Sequence, residues 1–288
     1  MKRLSISPRA TGDSADSARF RVLKTRFFTA VIMAAIGLTL LFLLPPIYFA
    51  AAAALLLLGA GGREAGRLGG LPEPWQWLVF AGLLLVLAAV LYGSLNPTQR
   101  PVALFGVIVG GWLCMLCWLI APSFGRKLRG LKLVALALVL LGAWSSLVLL
   151  QSQTPWLVLL VVAIIAAADI GAYFAGHAIG GAKLAPRISP GKTWAGAIGG
   201  LAAATLLSSL VAVTIPEAPF VLPVAAAIGL VLAVVSIGGD LFISLLKRQQ
   251  GLKDSSSLLP GHGGLLDRFD SLGAALPFFA IAWLIGGQ

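Results

Sequence analysis

Apolar runs divide this chain at near-regular intervals, and the polar residues fall almost entirely in the gaps between them. A helix needs about 20 mostly apolar residues to cross roughly 30 Å of hydrocarbon. By that rule nine candidate spans lie at residues 27–44, 47–61, 76–94, 101–121, 132–150, 155–178, 194–214, 219–248 and 271–286. The second is short and the eighth long, so the last turns of the eighth are expected to leave the hydrocarbon, with a bend at Gly238-Gly239. Pro45-Pro46 predicts a tight turn after the first span, and Pro219 suits the first turn of the eighth. No internal repeat and no matched pair of Gly/Pro-broken spans is present, which counts against an inverted-repeat transporter.

Composition sharpens this picture. The 288 residues are 59% hydrophobic and 11% charged, and a mean hydropathy of +0.98 excludes an ordinary water-soluble globule. The expected fold is therefore an all-α polytopic integral membrane protein. The formal charge of +11 raises nucleic acid as a partner, but its placement argues otherwise. With a cytoplasmic N-terminus, the alternating loops put every Lys and Arg except Arg100 on the inner side. The C-terminus is then outside. Residues 1–25 read as a disordered basic tail against anionic headgroups, and the first span follows without a small-residue cleavage site, as a retained anchor does. Residues 26–154 are expected to be transmembrane scaffold and 155–288 a catalytic transmembrane region. Within the scaffold, the Trp residues between Trp77 and Leu150 read as interfacial anchors. Cys114 and Cys117 read as core thiols rather than a redox or zinc pair, and Glu64 as a solvated interfacial acid.

Chemistry gathers between Gly239 and Ser271, where four of the ten acids (Asp240, Asp254, Asp267, Asp270) and four of the 21 bases (Lys247, Arg248, Lys253, Arg268) lie together. At about 100° per residue, Asp240, Ser244 and Lys247 share one helix face. The linker from Gly251 to Gly264 returns the chain to a span that opens with Asp267 and Asp270. Carboxylates there either cap a helix or, facing a second acid, hold Mg²⁺ together with substrate phosphates. His262 is one of only two histidines, which argues against a zinc cluster. Asp169 sits mid-span at a cost of about 2.5–3.5 kcal/mol, so it is either functional or paired within the bundle. The loop at residues 180–194 mixes Gly, Pro, Ser and bases. That composition suits phosphate, and equally suits a plain cytoplasmic loop. Its Gly191-Lys192-Thr193 is not a P-loop, because Pro186 stands where the first Gly is required and no strand precedes it.

From Ser244 to Asp270 the chain reads Ser-x-x-Lys-Arg, four residues, Lys-Asp, then Pro-Gly-His-Gly-Gly-x-x-Asp-Arg-x-Asp. With these residues the sequence resembles the bacterial phosphatidate cytidylyltransferases, also called CDP-diacylglycerol synthases. Upstream, Asp169 with Gly171-Ala172-Tyr173, Lys183-Leu184-Ala185-Pro186 and Ser189-Pro190-Gly191-Lys192-Thr193-Trp194 are similar too. The clear likeness covers about residues 165–280; earlier residues agree in hydropathy.

The resemblance implies condensation of CTP with phosphatidate to CDP-diacylglycerol and pyrophosphate, at the cytoplasmic face of a bacterial inner membrane. It implies Mg²⁺ held by Asp240 and Asp267, and leaves open a second, monovalent cation and a homodimer. Lys247, Arg248, Lys253, His262 and Arg268 then complete the catalytic group. Asp169, Ser189, Lys192, Thr193, Ser244, Asp254, Gly263, Gly264 and Asp270 surround the substrates. Three positions depart from the family pattern: Ile243 replaces a Glu, Ile170 a Ser or Thr, and Ala195 a Glu or Gln. A non-catalytic lipid- or nucleotide-binding relative therefore stays open, as does a transporter using its intramembrane acids as an ion path.

Overall fold

The structure, a computed structural model, describes residues 12–95, 101–258 and 263–287, with residues 12–27 and Ser94 described by backbone alone. Arg100 and His262 lie outside the described residues. Among the described residues nine helices follow one another: α1 Gly12–Leu43, α2 Pro46–Leu68, α3 Pro74–Tyr92, α4 Val102–Trp118, α5 Arg129–Gln153, α6 Pro155–Ala178, α7 Trp194–Thr214, α8 Leu222–Gln249 and α9 Leu266–Gly286. Each overlaps one predicted span. Seven are long and apolar enough to cross a membrane, while α4 and the apolar part of α1, Phe28–Leu43, are shorter.

Several boundaries differ from expectation for physical reasons. The backbone of α1 is helical back to Gly12, within the segment read as a tail. Helix α2 continues to Leu68 and carries a π-helical stretch, Ala54–Ala60, just before Glu64. Helix α8 starts at Leu222 with Pro223, not Pro219, in its first turn, and runs without interruption through Gly238-Gly239. Those glycines serve contact rather than bending. A Cβ on Gly238 would strike Leu116, and one on Gly239 would strike the Asp270 carbonyl of α9. Helix α9 begins at Leu266, ahead of the predicted 271. The segment read as a loop holds a two-stranded antiparallel hairpin, β1 Lys183–Ala185 and β2 Ser189–Thr193, pairing Lys183 with Thr193 and Ala185 with Ser189. The expectation that no strand precedes Gly191-Lys192-Thr193 is thus corrected, although those residues lie within β2 rather than in a turn after it.

The most enclosed of the seven longer helices is α5, buried at every position from Gly142 to Gln151. Trp144 donates from it to the Ala50 carbonyl at 3.0 Å. On α4, Trp112, Met115 and Trp118 face inward, and both indoles meet Phe242 of α8 edge-on. Two expectations fall here. Trp112, Trp118 and Trp144 are core residues rather than interfacial anchors, whereas Cys114 and Cys117 occupy the exposed face of α4. Helix periodicity forces the exchange: large indole and thioether side chains spaced three apart claim the inner stripe and turn the thiols outward.

Helices α6 and α7 touch through small residues. Cβ atoms on Gly196 and Gly200 would approach the carbonyls of Ala172 and Ala168 to 2.9 Å, the small-residue contact typical of spans. This brings the α6–α7 hairpin against α8. At the same end, Gln249 donates to the Pro122 and Phe124 carbonyls, Arg248 to that of Ile188, and Arg67 to that of Ser255. The connections predicted to share one membrane side therefore meet.

Candidate active site

The polar stripe of α8 forms as its spacing predicts. Ser244 Oγ donates to Asp240 Oδ1 at 3.1 Å. One turn further, Lys247 Nζ reaches Asp267 Oδ1 of α9 at 2.7 Å. From the hairpin, Lys192 Nζ meets Asp240 Oδ2, also at 2.7 Å. Two lysine–aspartate pairs thus flank one helix.

The first pair opens onto a cavity of about 390 Å³ between α6, α7, α8 and the hairpin. Asp169, Lys192, Thr193 and Asp240 line it, along with Tyr173, His177, Ser236 and Ser271, none of which the sequence singled out as a site residue. Tyr173 and His177 sit one helical turn apart with nearly parallel rings. Asp169 is exposed on this wall within electrostatic reach of Lys192 and Asp240. Its two readings, ligand group or bundle pair, therefore share a location. Asp270 lies within reach of Asp240, Lys192 and Lys247. The Thr193 hydroxyl is buried and N-caps α7 by accepting from the Gly196 N–H at 3.1 Å, a role that fixes the hairpin to the helix.

The second pair is closed in. Asp267 Oδ2 accepts from the Ser255 N–H at 2.8 Å, the Ser255 hydroxyl at 2.9 Å and the Gly264 N–H at 3.0 Å. Gly263 adopts a φ of +82° beside that carboxylate, a conformation a side chain would strain. Glu64, read from sequence as a solvated acid, is instead 5% exposed. It accepts from the Ser255 and Ser256 hydroxyls and from the Leu265 and Leu266 N–H groups. The correction is physical: α2 is long enough to carry Glu64 beneath the linker, where the start of α9 presents N–H groups without intrahelical acceptors.

Other predicted residues lie at the rim. Arg248, Lys253, Asp254 and Arg268 are exposed. Ser189 is half-buried at the hairpin turn beside Ile188, whose carbonyl takes the Arg248 hydrogen bond. Of the three departures, Ile243 is fully buried, Ile170 is 58% exposed, and neither they nor Ala195 line the cavity. Among the described residues no three His, Cys, Asp or Glu side chains converge on a metal-sized point. Mg²⁺ needs less from a protein, one or two carboxylates with substrate oxygens. Asp240 fits that demand, since its half-open carboxylate already accepts a cationic ammonium. Asp267 fits only by exchanging Lys247, because its other oxygen is taken by Ser255 and Gly264.

A family model described as the cytidylyltransferase family matches residues 24–285. The chain is 40% identical over 273 residues to a protein of Pseudomonas aeruginosa named phosphatidate cytidylyltransferase, covering 92% of this chain and 98% of that one. A Brucella suis protein of the same name is 41% identical over 217 residues, covering 74% of this chain and 72% of that one. One from Haemophilus influenzae is 47% identical over 134 residues, covering 43% of this chain and 44% of that one. Similarity thus reaches well before residue 165, beyond the stretch whose motifs carry the resemblance. With its described motif residues around one cavity and one linker, the chain belongs to the cytidylyltransferase family.

Proposed function

We propose that this protein is a phosphatidate cytidylyltransferase, joining CTP to phosphatidate at the cytoplasmic end of its spans and releasing pyrophosphate. The observation that carries the reading is the half-open Lys192–Asp240 pair on the wall of a cavity between membrane helices. One substrate is a lipid and the other is soluble, so the site must lie where apolar helices end and water begins. The connections rich in Lys and Arg meet at that end, which by the positive-inside rule is the cytoplasmic one.

In the reaction a phosphatidate phosphate oxygen attacks the α-phosphorus of CTP. The new P–O bond forms as the bond to the β-phosphate bridging oxygen breaks, and pyrophosphate carries away the electron pair. The nucleophile is already anionic, so no strong base is required. The barrier is repulsion between phosphates, which fixed cations lower. Lys192 is placed to leave Asp240 for an incoming phosphate, and Lys247 and Arg248 extend the positive edge along α8. Asp240, with Asp267, would hold Mg²⁺, whose chemistry is charge neutralisation on the phosphates and the leaving group. The apolar walls of α6 and α7 suit the acyl chains.

None of the three apolar departures lines the cavity, which favours an active enzyme over a non-catalytic relative. Asp240, Asp267 and Glu64 meet the basic connections at one end rather than lying along a path across the bundle, which disfavours a transporter. Purified protein in detergent, given CTP, phosphatidate and Mg²⁺, is expected to release pyrophosphate and form CDP-diacylglycerol, and to stop on chelation. CTP binding without product under any divalent ion would support the non-catalytic relative instead.

A further inference from the structure

We propose that Glu64 is a positioning residue for the reaction, setting Asp267 and the start of α9 through Ser255. The inference rests on the reading of the protein as a cytidylyltransferase that uses Asp267. Glu64 lies outside the motif and does not line the cavity. Yet its two oxygens take four donors: Ser256 Oγ at 2.6 Å and Leu265 N at 2.9 Å on Oε1, and Ser255 Oγ and Leu266 N at 2.9 Å on Oε2. Arg67, one turn further along α2, ties the same linker by donating to the Ser255 carbonyl at 3.4 Å.

The ligand set explains why the residue is an acid. Leu265 and Leu266 open α9, and their N–H groups belong to the first turn, which has no intrahelical acceptors and carries the positive end of the helix dipole. A buried carboxylate is compensated there by those donors. Glutamine has one accepting oxygen. Whichever way its amide turns, the NH₂ group faces one of the two backbone N–H donors. The Ser255 hydroxyl stands 2.9 Å from both Glu64 Oε2 and Asp267 Oδ2, so its single hydrogen lies between the acid of α2 and the acid of α9.

Two features of the backbone serve this contact. A Cβ on Gly264 would stand 2.6 Å from Glu64 Oε2 and collide with Ser255 Oγ, so the motif glycine leaves room for the acid to enter. The π-helical stretch Ala54–Ala60 ends four residues before Glu64 in the same helix. Each residue added to a helical turn rotates the remainder of the helix by about 100°, so the phase of this stretch decides whether Glu64 faces the linker.

The test compares full-length wild type, Glu64→Gln, Glu64→Asp and Ser255→Ala in detergent, with folding checked by elution and melting. Amide hydrogen exchange over residues 250–270 is read beside pyrophosphate release. Glu64→Gln is expected to speed exchange in that segment and leave the other helices unchanged. Its kcat falls by about tenfold per folded molecule while KM for CTP stays within about twofold, and the Mg²⁺ needed for half-maximal rate rises by about threefold. Glu64→Asp recovers part of the loss, and Glu64→Gln combined with Ser255→Ala loses no more than the worse single variant. Unchanged exchange in 250–270, or a rate per folded molecule within about twofold of wild type, overturns the proposal. A wild type that releases no pyrophosphate overturns the enzymatic reading instead, and exchange still decides whether Glu64 holds the segment.

Discussion

The two lysine–aspartate pairs of α8 have the same N···O separation of 2.7 Å and opposite surroundings. In Lys192–Asp240 the side chains are 27% and 29% exposed; in Lys247–Asp267 they are 10% and 8% exposed. The open pair has few other partners, Ser244 being the hydrogen bond that accompanies it. The closed pair is built into a network of Ser255, Gly264 and, through Ser255, Glu64. Bond length therefore says little about role. Solvated ion pairs contribute little stability and exchange partners readily, whereas buried ones are costly to break. The open pair is suited to meeting substrate as it stands, whereas Asp267 of the closed pair can take a ligand only by giving up Lys247.

Substitutions can break that contrast. The largest effect is expected at Asp267: Asp267→Asn abolishes turnover and lowers stability by about 1–3 kcal/mol, since an amide must turn its NH₂ toward Lys247 or toward the donors on Oδ2. Rate and melting temperature check it together, and near-normal turnover would remove Asp267 from the chemistry. Lys192→Met is expected to reduce kcat/KM for CTP about a hundredfold with little change in melting, because an exposed pair adds little stability while a phosphate donor adds much to rate. A large melting loss in that variant would erase the contrast. Thr193→Ala removes the cap of α7 and is expected to cost about 1 kcal/mol in stability with a smaller effect on rate. Trp144→Phe, distant from both pairs, is expected to cost about 1 kcal/mol by losing the hydrogen bond to Ala50, with kcat unchanged. It serves as the control that separates stability from activity.

Much of this was legible in the sequence because the signals are local. Apolar runs located the helices of the described residues, and seven of these are long and apolar enough to cross a membrane. The spacing of Asp240, Ser244 and Lys247 fixed a shared face before any partner was known. What escaped depends on distant chain. Glu64 and the Ser255 linker are about 190 residues apart, and their meeting turns on the phase of a π-helical stretch within an Ala/Leu run that carries no periodic signal. The hairpin at 183–193 is too short and too rich in Gly and Pro to show strand alternation. Trp112 and Trp118 look like interface residues by type, and only the inward stripe of α4 shows them to be core. Tyr173 and His177 join the site through the close approach of α6 and α7, which depends on glycines whose partners the sequence does not name.

Initial rates of pyrophosphate release, measured side by side for wild type and Asp240→Asn at saturating CTP, phosphatidate and Mg²⁺, test the open pair most directly. Catalysis at this cavity predicts steady release by the wild type and none by the variant, with both proteins folded and melting within a few degrees of each other. Comparable release by Asp240→Asn would contradict it and would place the chemistry away from the cavity.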